Sequence, residues 1–167
     1  MFSGGFDLKE IQKGAAEGIV LANRGAGLFH RLFSFPMPLI GGCTGHAIAA
    51  GALMLLCCDS RVGAVGPFKI GLNETANGMT LPVVGHELVS SRLSKRHITQ
   101  AVIQARLYDP DSAIDAGFLD EVTDSAQLLD RCMDIATELK KLPAATYAQM
   151  KQDVRQVSLA KIKASLY

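Results

Sequence analysis

Residues 39–58 run for twenty positions without an Asp, Glu, Lys or Arg. That is the length of a bilayer-crossing helix. The run is nevertheless badly made for one. Gly41, Gly42, Gly45 and Gly51 interrupt it, Thr44 and His46 stand inside it, Pro36 and Pro38 precede it, and Asp59 and Arg61 close it. A buried strand over 37–43, a glycine turn and a buried helix over 48–58 account for the same residues without a membrane. A helix that is apolar all round belongs at the centre of a packed molecule, so the rest of the chain must cover it on every side.

There is enough chain to do so. Of 167 residues, 49% are hydrophobic and 20% charged, which excludes disorder as the overall state. A domain of this length buries roughly 70% of its unfolded surface. With no Trp and few aromatics the core must be mainly aliphatic. Lys and Arg number 17 against 16 Asp and Glu, which gives no electrostatic reason to expect nucleic acid or an anionic membrane as partner. Cys43, Cys57, Cys58 and Cys132 form no C-x-x-C pair and have no His at zinc-finger spacing. No metal site is expected, and reduced thiols in a reducing, cytoplasmic compartment are. Residues 1–7 show neither a basic stretch nor an apolar one, so no signal peptide is expected there.

Glycine divides the chain. Ten of sixteen lie in residues 1–51, and residues 86–167 hold only Gly117. The front is therefore expected to be turns and close backbone approaches, and the back to be helical. Asp7 and Glu10 suit the N-cap and N3 positions of a short helix, and a longer helix follows over 15–33. Strands are expected at 60–65 and 68–70, then irregular chain through Asn77-Gly78. Thr80 can cap a helix over 83–93 with Pro82 in its first turn, and Ser94 can cap another through Gln104. Asp109-Pro110 should open a short helix ending at Gly117, with 118–122 extended, a helix over 125–142, and a last helix from Pro143. In that last helix Tyr147, Met150, Val154 and Val157 recur at helical spacing. This stripe is expected to cover the chain's own core, with a partner subunit as the alternative. The class is α/β.

Three groups of residues have chemical possibilities. Gly41-Gly42-Cys43-Thr44-Gly45 fits G-x-C-x-G, a thiol version of the nucleophile elbow. It would need a His base from His46, His86 or His97, and Cys43 is otherwise a small buried hydrophobe. No phosphate-loop motif occurs, but the glycine-rich approach to the buried helix leaves free N–H groups where a developing negative charge is favoured. Finally, Glu74 lies among mostly uncharged residues from 70 to 85. There it is either a solvated or capping carboxylate, or one whose raised pKa suits a general base.

Taken in order, these residues resemble the crotonase superfamily of acyl-CoA enzymes. Ser3-Gly4-Gly5-Phe6-Asp7-Leu8-Lys9-Glu10 resembles its F-S-x-G-x-D-L-x-E motif. Pro38 through Gly51 resembles its strand, turn and glycine-rich helix start. Cys58-Asp59-Ser60-Arg61 matches C-D-x-R, and Asp115 through Val122 matches A-x-x-x-G-L-V-D-x-V. Thr44 stands for the usual Asn, Ala49-Ala50 for Gly-Gly, and Phe6 for Ala or Leu. The resemblance implies a ββα spiral core over 1–122, starting at a point where family members already have several strands, with C-terminal helices over 123–167. The chain is accordingly expected to be the C-terminal part of a longer domain.

The resemblance also implies an oxyanion hole from the backbone N–H groups of Phe6 and Ala50, and substrate contacts near Ser3, Gly5, Asp7, Gly51 and Leu53. Hydratases of the family carry two Glu residues. Here Leu53 takes the first position and Glu74 the second, as in Δ3,Δ2-enoyl-CoA isomerases. Hydration calls for two groups to handle water, whereas moving a double bond needs one base. The expectation is an enoyl-CoA isomerase with Glu74 as base, no cofactor beyond the coenzyme A of its substrate, and a homotrimeric or hexameric assembly. A hydratase or other crotonase chemistry, an acyl-CoA-binding fragment of impaired activity, and a thiol hydrolase using Cys43 are the alternatives.

Overall fold

A computed structural model describes residues 1–166. The chain opens with an extended segment and a one-turn helix, α1 (Leu8–Ile11), where Asp7 Oδ1 accepts the Lys9 N–H at 2.8 Å. Asp7 caps as expected, while Glu10 pairs with Lys13 rather than reaching back. Next come α2 (Ala15–Phe33), β1 (Ile40–Cys43), β2 (Ala47–Ile48) and α3 (Ala50–Cys57). The uncharged run is thus two strands and a helix, and no helix among the described residues is long and apolar enough to cross a membrane. The remaining elements are β3 (Ser60–Ala64), β4 (Ile70–Gly71), a 3₁₀ turn (Thr75–Asn77), α4 (Val83–Arg92), a π-helical turn (Thr99–Ile103), α5 (Pro110–Ala116), β5 (Glu121–Thr123), α6 (Leu128–Leu139) and α7 (Ala144–Ala164).

The strands form two small sheets. One has the order β1-β3-β5, all parallel, with Ile40 opposite Ser60 and Val62 opposite Glu121. The other pairs β2 with β4 in parallel and is widened by single bridges from Ser3 to Ala47 and from Tyr108 to Ile70. Strand side chains alternate between faces, so Gly41 in β1 abuts Cys58 and Leu55 while Gly42 abuts Cys132 and Leu128 of α6. α3 is therefore walled by the sheet on one side and by α2 and α4 on others. Leu55 and Leu56 are fully buried together with Phe33, Leu88 and Ile162. The 122/123 division falls inside β5, so the C-terminal helices join the core without a break. Tyr167, the end of that region, lies outside the described residues.

Several expectations need correction. Thr80 caps nothing: it is exposed, and α4 begins after Pro82 without a side-chain cap. The helix expected over 94–104 is only the π turn, because Leu93 leaves helical geometry and Ala105 takes φ 50. α6 is shorter than 125–142, with Asp124 accepting the Gln127 N–H through its carbonyl in a turn before it. The α7 stripe does not meet the core. Val154 is 80% exposed, Val157 64% and Met150 56%. The face that packs inward carries Lys151, Arg155, Leu159 and Ile162.

Two of those inward residues are cations, and Asp59 satisfies them. Its Oδ2 accepts from Lys151 at 2.6 Å and from the Leu39 N–H at 2.7 Å, and its Oδ1 accepts from Arg155 at 2.7 Å. Arg155 also donates to the Phe33 carbonyl and lies over the Phe33 ring. Burial pulls the neighbouring Arg92 down to about 10, aided by Arg61 and Arg155. The C-D-x-R segment therefore works as a clamp. Asp59 holds α7, and Arg61 holds Asp120 and the Gly117 carbonyl.

Candidate active site

The site begins with a backbone approach between residues far apart in sequence. Ser3 donates its N–H to the His46 carbonyl at 2.9 Å and accepts the Ile48 N–H at 2.9 Å, which lays the first residues alongside β2. Gly51 faces this segment where an added Cβ would stand 2.6 Å from the Ser3 carbonyl oxygen, so only glycine fits. Gly5 has φ +102, and a Cβ there would come within 3.2 Å of the Ala49 Cβ and 3.6 Å of the Ala50 nitrogen. Ala49 itself, preceding α3, has φ 53 and ψ −120 and donates its N–H to the Gly71 carbonyl. Such backbone costs on the order of 1–3 kcal/mol for a residue with a Cβ.

What this geometry leaves is a pair of unused donors. Among the described residues, the N–H groups of Phe6 and Ala50 form no hydrogen bond, although their neighbours Ser3, Gly5, Ile48 and Ala49 all do. Ala50 is the first residue of α3, where the helix presents its positive end. Both residues line one cavity of about 780 Å³.

Glu74 lines the same cavity. Its carbonyl accepts the N–H groups of Asn77 and Met79, both at 2.9 Å, so the turn fixes its backbone. Its Oε2 is buried without a hydrogen-bond partner among the described residues. Burial pushes its pKa up, opposed in part by its own and the Asn73 backbone N–H groups. Glu74 is also the only ionisable side chain among the described lining residues. Leu53, buried in α3, closes part of the wall with methyl groups. The arrangement can therefore receive negative charge on an oxygen at one place and exchange a proton at another, with Gln12, Asn73, Asn77 and Thr80 as the other polar side chains on the wall.

Of the residues singled out from sequence, Phe6, Ala50, Leu53 and Glu74 meet at the cavity. Ser3, Gly5, Asp7 and Gly51 do not line it. Ser3, Gly5 and Gly51 build the backbone approach behind it, and Asp7 caps α1. Cys43 is removed as a nucleophile. It is buried, its thiol donates to the Gly45 carbonyl, and burial pushes its pKa up. His46 Nδ1 is taken by the Lys69 N–H, His97 lies beside Tyr108, and none of the three candidate histidines lines the cavity. The sequence reading missed the α2 wall, made by Ile19, Ala22, Ala26 and Phe29. Their spacing of 3, 4 and 3 was the available signal.

Known proteins resemble this chain over most of its length. The family model for enoyl-CoA hydratase/isomerase matches residues 1–166. The mitochondrial enoyl-CoA delta isomerase 1 of Mus musculus is 30% identical over 145 residues, 86% of this chain and 50% of that protein. A probable enoyl-CoA hydratase of Bacillus subtilis is 26% identical over 152 residues, 89% of this chain and 58% of that one. Among solved structures, an enoyl-CoA hydratase/isomerase family protein from Pseudomonas syringae superposes with a TM-score of 0.96 at 40% identity, covering 99% of this chain and 72% of that chain. The chain spans about half the length of the curated relatives it matches.

Proposed function

The chain belongs to the enoyl-CoA hydratase/isomerase family, the crotonase-type fold expected from its motifs, and on that premise we propose that it shifts a double bond in an enoyl-CoA thioester. The observation that carries this reading is Glu74, the single ionisable group among the described lining residues, with a buried oxygen that has no partner among the described residues. The ionised Glu74 takes a proton from C2 of a 3-enoyl thioester. The electron pair left behind moves toward the thioester carbonyl, whose oxygen becomes negative and accepts the N–H groups of Phe6 and Ala50. As the charge returns, a C2=C3 bond forms, the C3=C4 pair takes the proton back from Glu74 at C4, and the carboxylate is restored. One base serves both transfers, and no water is consumed.

Removing one oxyanion donor of this kind costs about 100- to 1000-fold in rate. Leu53 favours isomerisation over hydration, since it offers a water no hydrogen bond. The coenzyme A needed is part of the substrate. The assembly proposed is a homotrimer or hexamer in which the exposed Met150–Val157 face of α7 is covered, and a stable monomer in light scattering at micromolar concentration would overturn it. The activity is tested by deuterium incorporation at C2 of a bound enoyl-CoA, with Glu74→Gln as the silent control. Exchange at the unaltered rate in that variant, or efficient conversion of a 2-enoyl-CoA to its 3-hydroxy product, would contradict the reading.

A further inference from the structure

We propose that Gly25 of α2 is a positioning residue for the Phe6 oxyanion donor, a notch that seats the Phe6 ring and so holds the peptide that donates. This rests on the isomerase reading for its kinetic consequence but not for its geometry. A Cβ added at Gly25 would stand 2.1 Å from Phe6 Cζ and 2.7 Å from Cε1. The ring tip therefore occupies the space any other residue's side chain would need. One turn further along α2 the ring also stacks on Phe29, centroids 6.3 Å apart at 28°, and Phe29 is itself buried.

The peptide being held has little else to hold it. The ladder to β2 ends with the Ser3 carbonyl. Gly4 and Gly5 follow without side chains, and α1 begins only after Asp7. Among the described residues neither the Gly5 carbonyl nor the Phe6 N–H forms a hydrogen bond. An unbonded peptide between two glycines and a cap is free to rotate about its flanking bonds unless a side chain fixes it. The Phe6 ring is the side chain placed to do so. A donor misplaced by more than about half an ångström loses much of its value to the transition state.

Of the three glycines in α2, Gly18 and Gly27 face open space, and Gly25 alone meets a ring. Glycine inside a helix is less favourable than alanine, and Gly25 lies within the nineteen-residue α2. Helix formation alone would favour Ala there; the ring alone requires Gly.

The test is a cycle of Gly25→Ala, Phe6→Leu and the double variant, assayed for isomerisation of a 3-enoyl-CoA and for C2 proton exchange. Gly25→Ala is expected to lower kcat by about 10- to 100-fold, a fraction of what deleting a donor outright costs, with KM nearly unchanged. In the Phe6→Leu background, where the shorter side chain leaves the notch free, the same substitution should change kcat less than threefold. An equal fall in both backgrounds would overturn the proposal, as would a rise in KM at constant kcat, which means the ring has swung into the cavity without moving the peptide. Selective ¹⁵N-Phe labelling supplies a reading that needs no turnover. The seven Phe amides are followed by NMR, with the Phe6 signal identified by its loss in Phe6→Leu. Gly25→Ala should move the Phe6 amide more than any other. An unmoved Phe6 amide sinks the positioning role, whereas an inactive wild type with a moved amide sinks the isomerase reading alone.

Discussion

The molecule buries two carboxylates in opposite ways. At the junction of α3, β3 and α7, Asp59 accepts from Lys151, Arg155 and the Leu39 N–H and leaves little of its acceptor capacity unused. In the cavity beside α3, Glu74 keeps one oxygen buried with no donor among the described residues. The first region spends its charge on holding the last helix against the core. The second keeps a charge in an unfavourable setting, where burial raises its proton affinity. A satisfied buried acid marks architecture, and an unsatisfied one facing empty space marks chemistry.

The sharpest way to break this contrast is to neutralise each acid. Glu74→Gln should lower the isomerisation rate by about 100- to 10,000-fold, the range of general acid–base contributions, while its melting temperature stays at or above the wild-type value. Asp59→Asn should do the reverse. Removing one partner of a buried ion pair costs about 3–5 kcal/mol, which for a chain of this size lowers Tm by roughly 10–15 °C, while the fraction that remains folded keeps its turnover. A thermal melt and a rate measurement on each variant decide the matter. If Asp59→Asn kills turnover without loss of stability, or Glu74→Gln melts early, the division of labour is wrong.

A smaller effect concerns the turn before α3. Ala49 holds φ 53, so Ala49→Gly should raise stability by about 1 kcal/mol, the strain relieved less the entropy of the added glycine. Chemical denaturation reads it directly.

The smallest effect is pH linkage. The folded-state pKa of Glu74 lies above its unfolded value, so the ionised form is penalised by folding. Stability is therefore lower above the raised pKa and is regained as pH falls through it toward the ordinary glutamate range. Wild type should gain on Glu74→Gln over that window, just as the proposed activity declines because Glu74 is protonated. A flat difference between their melting curves across pH would remove Glu74 from the unsatisfied class.

Much of this was readable from residue order. The α5 helix starts at Asp109, which accepts the Ser112 N–H, continues through Pro110 and stops at Gly117 with φ 93, each by local chemistry that a few neighbouring residues determine. The uncharged run resolved into strands and a buried helix for equally local reasons. Failures came where distant partners decide. The Tyr147–Val157 stripe has helical spacing, but Asp59 lies some ninety residues away and draws Lys151 and Arg155 inward instead. A pattern search that counts only apolar residues cannot see a helix whose inner face is partly cationic. The cavity was half visible for the same reason. Phe6, Ala50 and Glu74 carry motif signatures, whereas Ile19, Ala22, Ala26 and Phe29 are ordinary helix residues until something opposite them is missing.

The backbone approach between Ser3 and β2 also has a consequence for how activity arises in time. The two donors come from residues 6 and 50, and neither has its final place until a loop of more than forty residues has closed and the ladder from Ser3 to Ile48 has formed. Such long-range closure adds to the folding barrier and is not completed piecemeal. A chain with α3 packed and its first residues still searching would look nearly native by helix content yet have only one of the two free donors in place. On the isomerase reading, catalysis is then the last property to appear on folding and the first to vanish on loosening, so a rate assay registers the docking of those first residues more sensitively than spectroscopy does.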